Sequence, residues 1–253
     1  MVKVGVTSAG KVFIIKNTGK ANLVISGAPS LAGSNPGHFH LIYNTCSGRT
    51  LIPNATCSIT ATFHPATTGA KTAYINIPDN APGHPHKITL SGKGGTEQSL
   101  NGGFNTYPSM AAKIPTNWLA TNFGPADGKD TIYKDPLFSV KMANTSVNTK
   151  TLTQTRTVSG GAGSTFLLRL WGKGQNIPVT AGGVQAQVFL YSSASTSPFL
   201  TKTISFPNGI YGFIQKSMSF TVTHAYNKIV IKLTYSKGSG SIWFDSLSLL
   251  RSP

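Results

Sequence analysis

Residues 184–191 read Val-Gln-Ala-Gln-Val-Phe-Leu-Tyr, with an aliphatic side chain at every second position. Successive side chains of a β-strand point to opposite faces of a sheet. The stretch therefore predicts a strand with one apolar face, made of Val184, Ala186, Val188 and Leu190. Residues 57–63, Cys-Ser-Ile-Thr-Ala-Thr-Phe, alternate in the same way. Two such strands, far apart in the chain, indicate an all-β protein.

Turn-forming residues separate short apolar runs along the whole chain, which has 27 Gly and 15 Pro in 253 residues and no convincing helix. Strand-like runs at 12–15, 21–26, 57–63, 73–77 and 87–90, with turns at roughly ten-residue spacing, predict a sandwich of about 90 residues. Longer runs at 165–171, 184–192, 202–206, 216–222, 228–235 and 241–250 predict a jelly roll of about 150 residues.

A glycine-rich stretch separates the two sets of strands. Lys93-Gly94-Gly95-Thr96 is typical of a short linker. We therefore expect one domain at residues 1–94, a linker at 95–99 and a second domain at 100–253. The polar segment from about residue 105 to Lys150 shows weak periodicity, and no strand is predicted there.

The chain contains only six carboxylates: Asp79, Glu97, Asp127, Asp130, Asp135 and Asp245. Glycosidases, metallohydrolases and most phosphoryl-transfer enzymes need paired or clustered carboxylates. The one tight cluster lies between Asp127 and Asp135, and its Asp-Gly-Lys-Asp sequence is typical of a turn. No nucleophile elbow, phosphate loop or zinc-protease motif is present. The sequence therefore predicts a binding or structural protein, not an enzyme.

The positive charge is large, because 22 Lys and Arg leave a formal net charge of +16. Such a charge attracts polyanions: acidic polysaccharide, an anionic cell envelope or nucleic acid. The lysines are scattered singly and both halves of the chain are basic. The alternative is that the charge only keeps the protein soluble.

The two cysteines, Cys46 and Cys57, are eleven positions apart with a turn-like stretch between them. An even count at short spacing predicts one disulfide and an oxidising compartment, hence an extracellular or cell-surface location. Reduced, buried thiols are the alternative. No run approaches the ~20 apolar residues of a membrane helix. Met1-Val2-Lys3 leads straight into strand-like sequence, so a secreted form is expected to be a processed or trimmed piece.

Three segments of the first domain carry a family resemblance. Residues 16–25 (Lys-Asn-Thr-Gly-Lys-Ala-Asn-Leu-Val-Ile), 44–46 (Asn-Thr-Cys) and 51–65 (Leu-Ile-Pro-Asn-Ala-Thr-Cys-Ser-Ile-Thr-Ala-Thr-Phe-His-Pro) resemble the bacterial ASH-type, or choice-of-anchor D, domain. This family is an immunoglobulin-like sandwich of bacterial surface proteins. The resemblance implies a Cys46–Cys57 bridge and no catalytic residue. The family's first strand, before Val4, is truncated here, which would leave a sheet edge open.

The second domain resembles the galactose-binding-like jelly rolls, nearest to carbohydrate-binding module families four and nine. The residues that carry the resemblance are Asn101-Gly102-Gly103-Phe104, Trp118, the strand 166–171 and the closing strand 242–249. In these families an acidic residue after the opening Phe and an Asp in the last strand help to hold a structural calcium. Here Asn105 and Asp245 take those positions. Ca²⁺ prefers several oxygen ligands, so one carboxylate with amides makes a weak site, and no cofactor is required.

The predicted strand at 184–191 also supplies a candidate binding face. Opposite its apolar side lie two amides and two rings: Gln185, Gln187, Phe189 and Tyr191. Rings can stack on the apolar face of a pyranose while amides pair with its hydroxyls. On the strand 166–171, Arg169 and Trp171 share a face. If the two strands are sheet neighbours, these side chains form one concave platform; the alternative is that Trp171 packs in the core and the glutamines face solvent.

Three hypotheses for function follow. The first is a non-catalytic extracellular carbohydrate-binding or adhesion protein with an immunoglobulin-like spacer domain, whose partner is a polysaccharide or glycan, neutral or acidic. The second is a structural subunit of a bacterial surface layer or extracellular fibre, self-associating through sheet edges. The third is binding of acidic polysaccharide or extracellular nucleic acid through the net positive charge.

Overall fold

The computed structural model describes residues 1–193 and 195–253, and these residues form an all-β protein. The one helical element among them is a single 3₁₀ turn, Pro36–His38. No helix in this part of the chain has the length and apolar character needed to cross a membrane. Two compact units are present: an amino-terminal unit of Met1–Thr96 with Ser252, and a carboxy-terminal unit of Glu97–Arg251 with Pro253.

The amino-terminal unit is a β-sandwich. Its strands are β1 (Val2–Lys3), β2 (Lys11–Lys16), β3 (Leu23–Val24), β4 (Ser30–Ala32), β5 (Phe39–Asn44), β6 (Thr50–Leu51), β7 (Thr56–Phe63), β8 (Gly69–Ile77) and β9 (His86–Glu97). One sheet has the order β2-β7-β5; β4, β8 and β9 pair in the other, and β3 and β6 form a small ribbon. Some consecutive strands cross between the two sheets, as β4 and β5 do, and others pair as a hairpin, as β8 and β9 do.

The alternation of β7 positions the core of this unit. Cys57, Ile59, Ala61 and Phe63 are buried there and pack against inward residues of β8 such as Ile75. The predicted disulfide is confirmed, because Cys46 and Cys57 are bonded. A bridge that closes so short a loop stabilises by roughly 3 kcal/mol in the chain-entropy model.

Two details of this unit differ from the sequence-based expectation. Strand β9 continues to Glu97, so the residues expected to begin a linker are in a strand. Strand β1 is present and pairs in parallel with β9, Val2 opposite Gly94 and Lys3 opposite Gly95. The two-residue strand therefore covers part of an edge that was expected to be open.

The described residues of the carboxy-terminal unit form the strands β10 (Leu119–Thr121), β11 (Gly128–Asp130), β12 (Ser139–Asn144), β13 (Lys150–Gly160), β14 (Thr165–Ile177), β15 (Val184–Tyr191), β16 (Leu200–Ser205), β17 (Gly209–Thr221), β18 (Tyr226–Tyr235) and β19 (Gly240–Ser252). We call the sheet β10-β13-β18-β15-β16 the front sheet, and the sheet β11-β12-β19-β14-β17 the back sheet.

The two sheets enclose one apolar core. The inward side chains of β15 (Val184, Ala186, Val188, Leu190) and of β18 (Ile229, Ile231, Leu233, Tyr235) are almost completely buried. They pack with back-sheet residues such as Leu168, Leu170 and Phe244. Because the inward positions of these strands are fixed by burial, the outward positions are fixed as well.

The segment between residues 100 and 150, for which no strand was predicted, contributes β10, β11 and β12. The Asp-Gly-Lys-Asp sequence, expected to be a turn, places Gly128–Asp130 in β11, which pairs with β12. Strand β13 was also missed, although its residues alternate, because Thr and Gln replace apolar residues at many of its positions.

Candidate functional site

The outward side of strand β15 carries the predicted amides and rings. Gln185, Gln187, Phe189 and Tyr191 are each partly exposed and point away from the core. Strand β15 is central in the front sheet, between β18 and β16. Its outward side chains are therefore flanked by others on both sides and form part of a continuous surface.

The neighbouring strands supply mostly hydroxyl groups and two lysines. On β18, Lys228 is opposite Tyr191, Val230 is opposite Phe189, Lys232 is opposite Gln187 and Thr234 is opposite Gln185. Strand β16 adds Thr201, Thr203 and Ser205, and β13 adds Thr151, Thr153, Thr155 and Thr157. We call this outward surface of β13, β18, β15 and β16 the front face.

The polar groups of the front face are only partly bonded to one another. Gln187 Nε2 lies 3.3 Å from Thr203 Oγ1 and donates a hydrogen bond to it. The hydroxyl of Thr234 is buried and has no hydrogen-bond partner within the described residues. Buried polar groups are nearly always satisfied in folded proteins, so this hydroxyl is an exception within the sheet.

Both rings of the front face have a lysine over them. The ammonium of Lys228 lies 3.9 Å from the centre of the Tyr191 ring, and that of Lys232 lies 5.2 Å from the centre of the Phe189 ring. These distances fit cation–π contacts. In the part of the chain that the structure describes, neither lysine forms a salt bridge with a carboxylate.

The structure separates Arg169 and Trp171 from the other predicted site residues. Both lie on β14, which pairs with β17 and β19 in the back sheet and not with β15. Arg169 is opposite Ser217 and Trp171 is opposite Gln215. The single platform expected from the sequence is therefore not formed, because alternation sorts the faces of a strand but does not reveal which strands pair.

The outer side of the back sheet has its own cluster of rings and lysines. Lys134 lies 4.9 Å from the ring centre of Trp171. Lys141 and Lys173 lie 5.0 and 5.5 Å from the ring centre of Trp243. Trp243 is only 1% exposed. It is a packed side chain, unlike the rings of the front face.

The two residues that the resemblance assigns to calcium have other partners. Asp245 Oδ2 accepts hydrogen bonds from the main-chain N–H groups of Lys134 and Asp135, at 2.7 and 3.0 Å. Asn105 Oδ1 accepts from Leu137 and Phe138, at 2.6 and 2.9 Å. A cation needs oxygen lone pairs, and here N–H donors occupy them. The residues present do not fit a calcium ion; they fasten the segment 134–138.

Burial and hydrogen bonding act in opposite directions on Asp245. Burial, the larger effect, raises the pKa of this carboxyl above its ordinary value, while the N–H groups of Asp135, Lys134 and Ser246 lower it. The Ser246 hydroxyl also donates to Asp135, so the second carboxylate nearby is held by a side chain. This network is consistent with a structural role in which Asp245 orders a loop over the back sheet.

The remaining carboxylates of the carboxy-terminal unit are held separately from one another. Asp127 is fully buried and forms a salt bridge with Lys150, and it accepts the N–H of Ala143 at 2.7 Å. Asp130 accepts the N–H of Ile132. Glu97 accepts N–H groups of β19 and of its own segment, including that of Leu249 at 2.8 Å. The sequence cluster at 127–135 is therefore not a carboxylate pair.

In the amino-terminal unit, a cavity of about 560 Å³ is lined by residues 15–23, 77, 79–82 and 86. Asp79 lies in its wall and pairs with His86 at 2.9 Å. Burial is the largest influence on the pKa of Asp79 and raises it, but hydrogen bonds from Ala81 and His86 together outweigh burial and lower the pKa. With Asp79, every carboxylate of the chain accepts a hydrogen bond within the fold.

Comparisons with known proteins give structural similarity alone. No protein-family model matches the chain, and no curated protein matches it. The enzymatically active domain of tailspike protein 4 of bacteriophage CBA120 is 15% identical, with a TM-score of 0.48 over 61% of this chain and only 21% of that one.

Two carbohydrate-binding modules have similarly low identities and TM-scores. A family 16 module is 15% identical (TM-score 0.41, covering 51% of this chain and 89% of that one). The module TmCBM61, solved with β-1,4-galactotriose, is 13% identical (TM-score 0.43, covering 62% and 99%). At these identities and TM-scores, none of the three structures is evidence for what this chain binds.

Proposed function

We propose that this chain is a non-catalytic carbohydrate-binding protein and that the front face is its glycan site. The observation that carries the proposal is the combination of rings and amides on one partly exposed strand surface, Phe189 and Tyr191 beside Gln185 and Gln187. Rings offer flat apolar area to the C–H face of a sugar, and amides are both donors and acceptors for its hydroxyls.

The surroundings of these four residues support the same chemistry. Threonine and serine hydroxyls of β16 flank them on one side, and those of β13 lie beyond β18 on the other; such groups can donate to or accept from sugar hydroxyls. Strand β15 is fixed by its buried inner side chains, so the site is carried by a rigid element.

The role as an extracellular adhesive module with a spacer belongs to the same proposal. The Cys46–Cys57 disulfide supports an oxidising location, since such bonds persist outside the cytosol. The amino-terminal sandwich would then act as the spacer, and the carboxylates, each held inside the fold, would take no part in catalysis.

A glycan array tests the proposal, run at ~0.05 M and ~0.5 M salt because screening weakens purely electrostatic binding. We expect glycan binding that persists at the higher salt. Tyr191→Ala and Gln187→Ala should each weaken it roughly tenfold, since a lost stacking or hydrogen-bonding contact costs about 1–2 kcal/mol. Trp171→Ala is the matched control, because it removes a partly exposed ring from the back sheet.

The outcomes separate the competing hypotheses. Loss of binding in Trp171→Ala with no change in Tyr191→Ala would contradict the front face and move the site to the back sheet. Binding to every polyanion alike, abolished at ~0.5 M salt, would favour binding through net charge alone. Absence of glycan binding at both salts, together with concentration-dependent assembly in light scattering, would favour the structural subunit.

A further inference from the structure

Each ring of the front face has a lysine ammonium over one of its sides. Lys228 lies 3.9 Å from the Tyr191 ring centre and Lys232 lies 5.2 Å from that of Phe189. A neutral sugar that stacks on the same side must displace the ammonium and forfeit its attraction to the ring. A sugar that carries a carboxylate or sulfate can leave the ammonium in place and pair with it. The geometry thus favours a charged ligand over a neutral one.

The electrostatic setting of the two lysines points the same way. The strands of the front sheet, β10, β13, β15, β16 and β18, contain no Asp or Glu. Within the described residues, each carboxylate of the carboxy-terminal unit accepts a hydrogen bond from the segments 97–99 or 124–150 or from β19. The positive charge of Lys228 and Lys232 is therefore not cancelled on this surface, and an anion approaching it meets no like charge there.

The spacing of the lysines sets the length of ligand that can use both. The α-carbons of Lys228 and Lys232 are four residues, or about 13 Å, apart along β18. The two ammonium groups lie over the rings of Tyr191 and Phe189, which are two residues, or about 7 Å, apart along β15. The rings and amides of β15 lie between and beside them in register. An oligosaccharide with an acidic group on more than one residue would contact both lysines.

We infer that the front face binds an acidic polysaccharide, with Lys228 and Lys232 pairing with carboxylate or sulfate groups on different sugar residues while Tyr191 and Phe189 contact the rings. This inference rests on the proposed function, and it assigns the charge preference of that site to two residues. It is distinct from attraction through net charge, because the other lysines of the chain would contribute little.

The test uses the whole chain and two matched pairs of polymers: polygalacturonate with its methyl ester, and dextran sulfate with dextran. Binding is measured by titration calorimetry at ~0.15 M salt, where long-range attraction is largely screened. We expect binding to the acidic member of at least one pair and much weaker binding to its neutral counterpart. Lys228→Gln and Lys232→Gln should each weaken that binding up to about fivefold, and the double variant roughly twentyfold.

A control with the same chemistry exists in the other unit. Lys87 lies 4.5 Å from the ring centre of Tyr74, so Lys87→Gln removes the same charge and the same kind of contact away from the front face. It should leave binding unchanged. Lys228→Arg keeps the charge and should keep most of the affinity, whereas loss of folding would be visible as a lowered Tm in either variant.

Each other outcome counts against a defined part of the inference. Equal binding of a neutral polymer and its acidic partner, lost in Tyr191→Ala, would overturn the charge preference and leave the carbohydrate site standing. Acid-selective binding that Lys87→Gln weakens as much as Lys228→Gln would overturn the assignment to these lysines. Tighter binding of duplex DNA, weakened by the same two lysine variants, would overturn the choice of a polysaccharide. No binding of any polymer would overturn the proposed function as well.

Discussion

The front face and the outer side of the back sheet both place lysines over aromatic rings, but the rings differ in their exposure. On the front face, Lys228 and Lys232 lie over rings that are partly exposed. On the back sheet, Lys141 and Lys173 lie over Trp243, which is 1% exposed. A lysine stem can cover an apolar ring while its ammonium stays in water. Where the ring is completely covered the contact serves the fold, and where it is not the ring is available to a ligand.

The difference extends to the charged groups around each surface. The back sheet is overlain by the segment 134–138, in which N–H groups are fixed by Asp245 and Asn105. The strands of the front sheet contain no carboxylate. One side of the carboxy-terminal unit is therefore closed by polar contacts within the chain, and the other presents polar groups and cations that those contacts leave free.

The largest expected difference between the two surfaces is in the stability lost when a ring is removed. Trp243→Ala should lower the free energy of unfolding of the carboxy-terminal unit by about 3–5 kcal/mol, because it leaves a cavity below two lysines. Tyr191→Ala, on the front face, should cost about 1 kcal/mol or less, since the ring is partly exposed. Urea denaturation followed by circular dichroism measures both. Similar losses in the two variants would show that the front face is as much a packed surface as the back.

A second effect of intermediate size concerns the fastening of the back-sheet loop. Asp245→Asn should destabilise the unit by about 1–3 kcal/mol, because the new amide NH₂ would face an N–H donor where a carboxylate oxygen accepted one. Removing Asn105 by Asn105→Ala should act on the same segment. The double variant should therefore lose less than the sum of the single losses. Strict additivity would argue against a shared loop.

The pH dependence of stability gives the same residue a distinct signature. The pKa of Asp245 is raised above its ordinary value of 3.8, so the folded unit binds its proton more tightly than the unfolded chain. Its contribution is most favourable below 3.8 and is lost as pH rises through the raised pKa. Asp79 has a lowered pKa and acts oppositely, losing its contribution as pH falls below 3.8. The melting temperatures of Asp245→Asn and Asp79→Asn, measured between acid and neutral pH, should each lack the pH dependence that the replaced carboxyl contributes. An unchanged pH dependence of the melting temperature would refute the assignment.

The strands that carry the front face could be predicted from the sequence to a useful extent. Alternation in 184–191 identified both the buried and the outward side chains of β15 correctly. The two lysines were overlooked, although the run 228–235 alternates as well, because their importance depends on β18 pairing with β15. Pairing is decided by contacts distant in sequence, and no local pattern encodes it.

The same limit explains the failure of the combined platform. Trp171 is an aromatic residue on the outward face of its strand, as a binding residue would be, but that strand, β14, belongs to the back sheet. Likewise, the resemblance assigns Asp245 to calcium, and only the folded structure shows that main-chain N–H groups occupy its oxygens. The disulfide was predictable because two cysteines permit only one pairing.

The smallest effect sharpens the comparison most directly, because it makes the same substitution on both sheets. Lys141→Gln removes an ammonium 5.0 Å from the covered ring of Trp243, and Lys228→Gln removes one 3.9 Å from the exposed ring of Tyr191. Cation–π contacts are worth about 0.5–1 kcal/mol at exposed sites and about 2 kcal/mol when desolvated. We therefore expect Lys141→Gln to lower the free energy of unfolding by more than Lys228→Gln, even though its ring is farther away. If Lys228→Gln proved the costlier, Lys228 would be a stabilising residue of the fold first, and its availability to an acidic ligand would be correspondingly reduced.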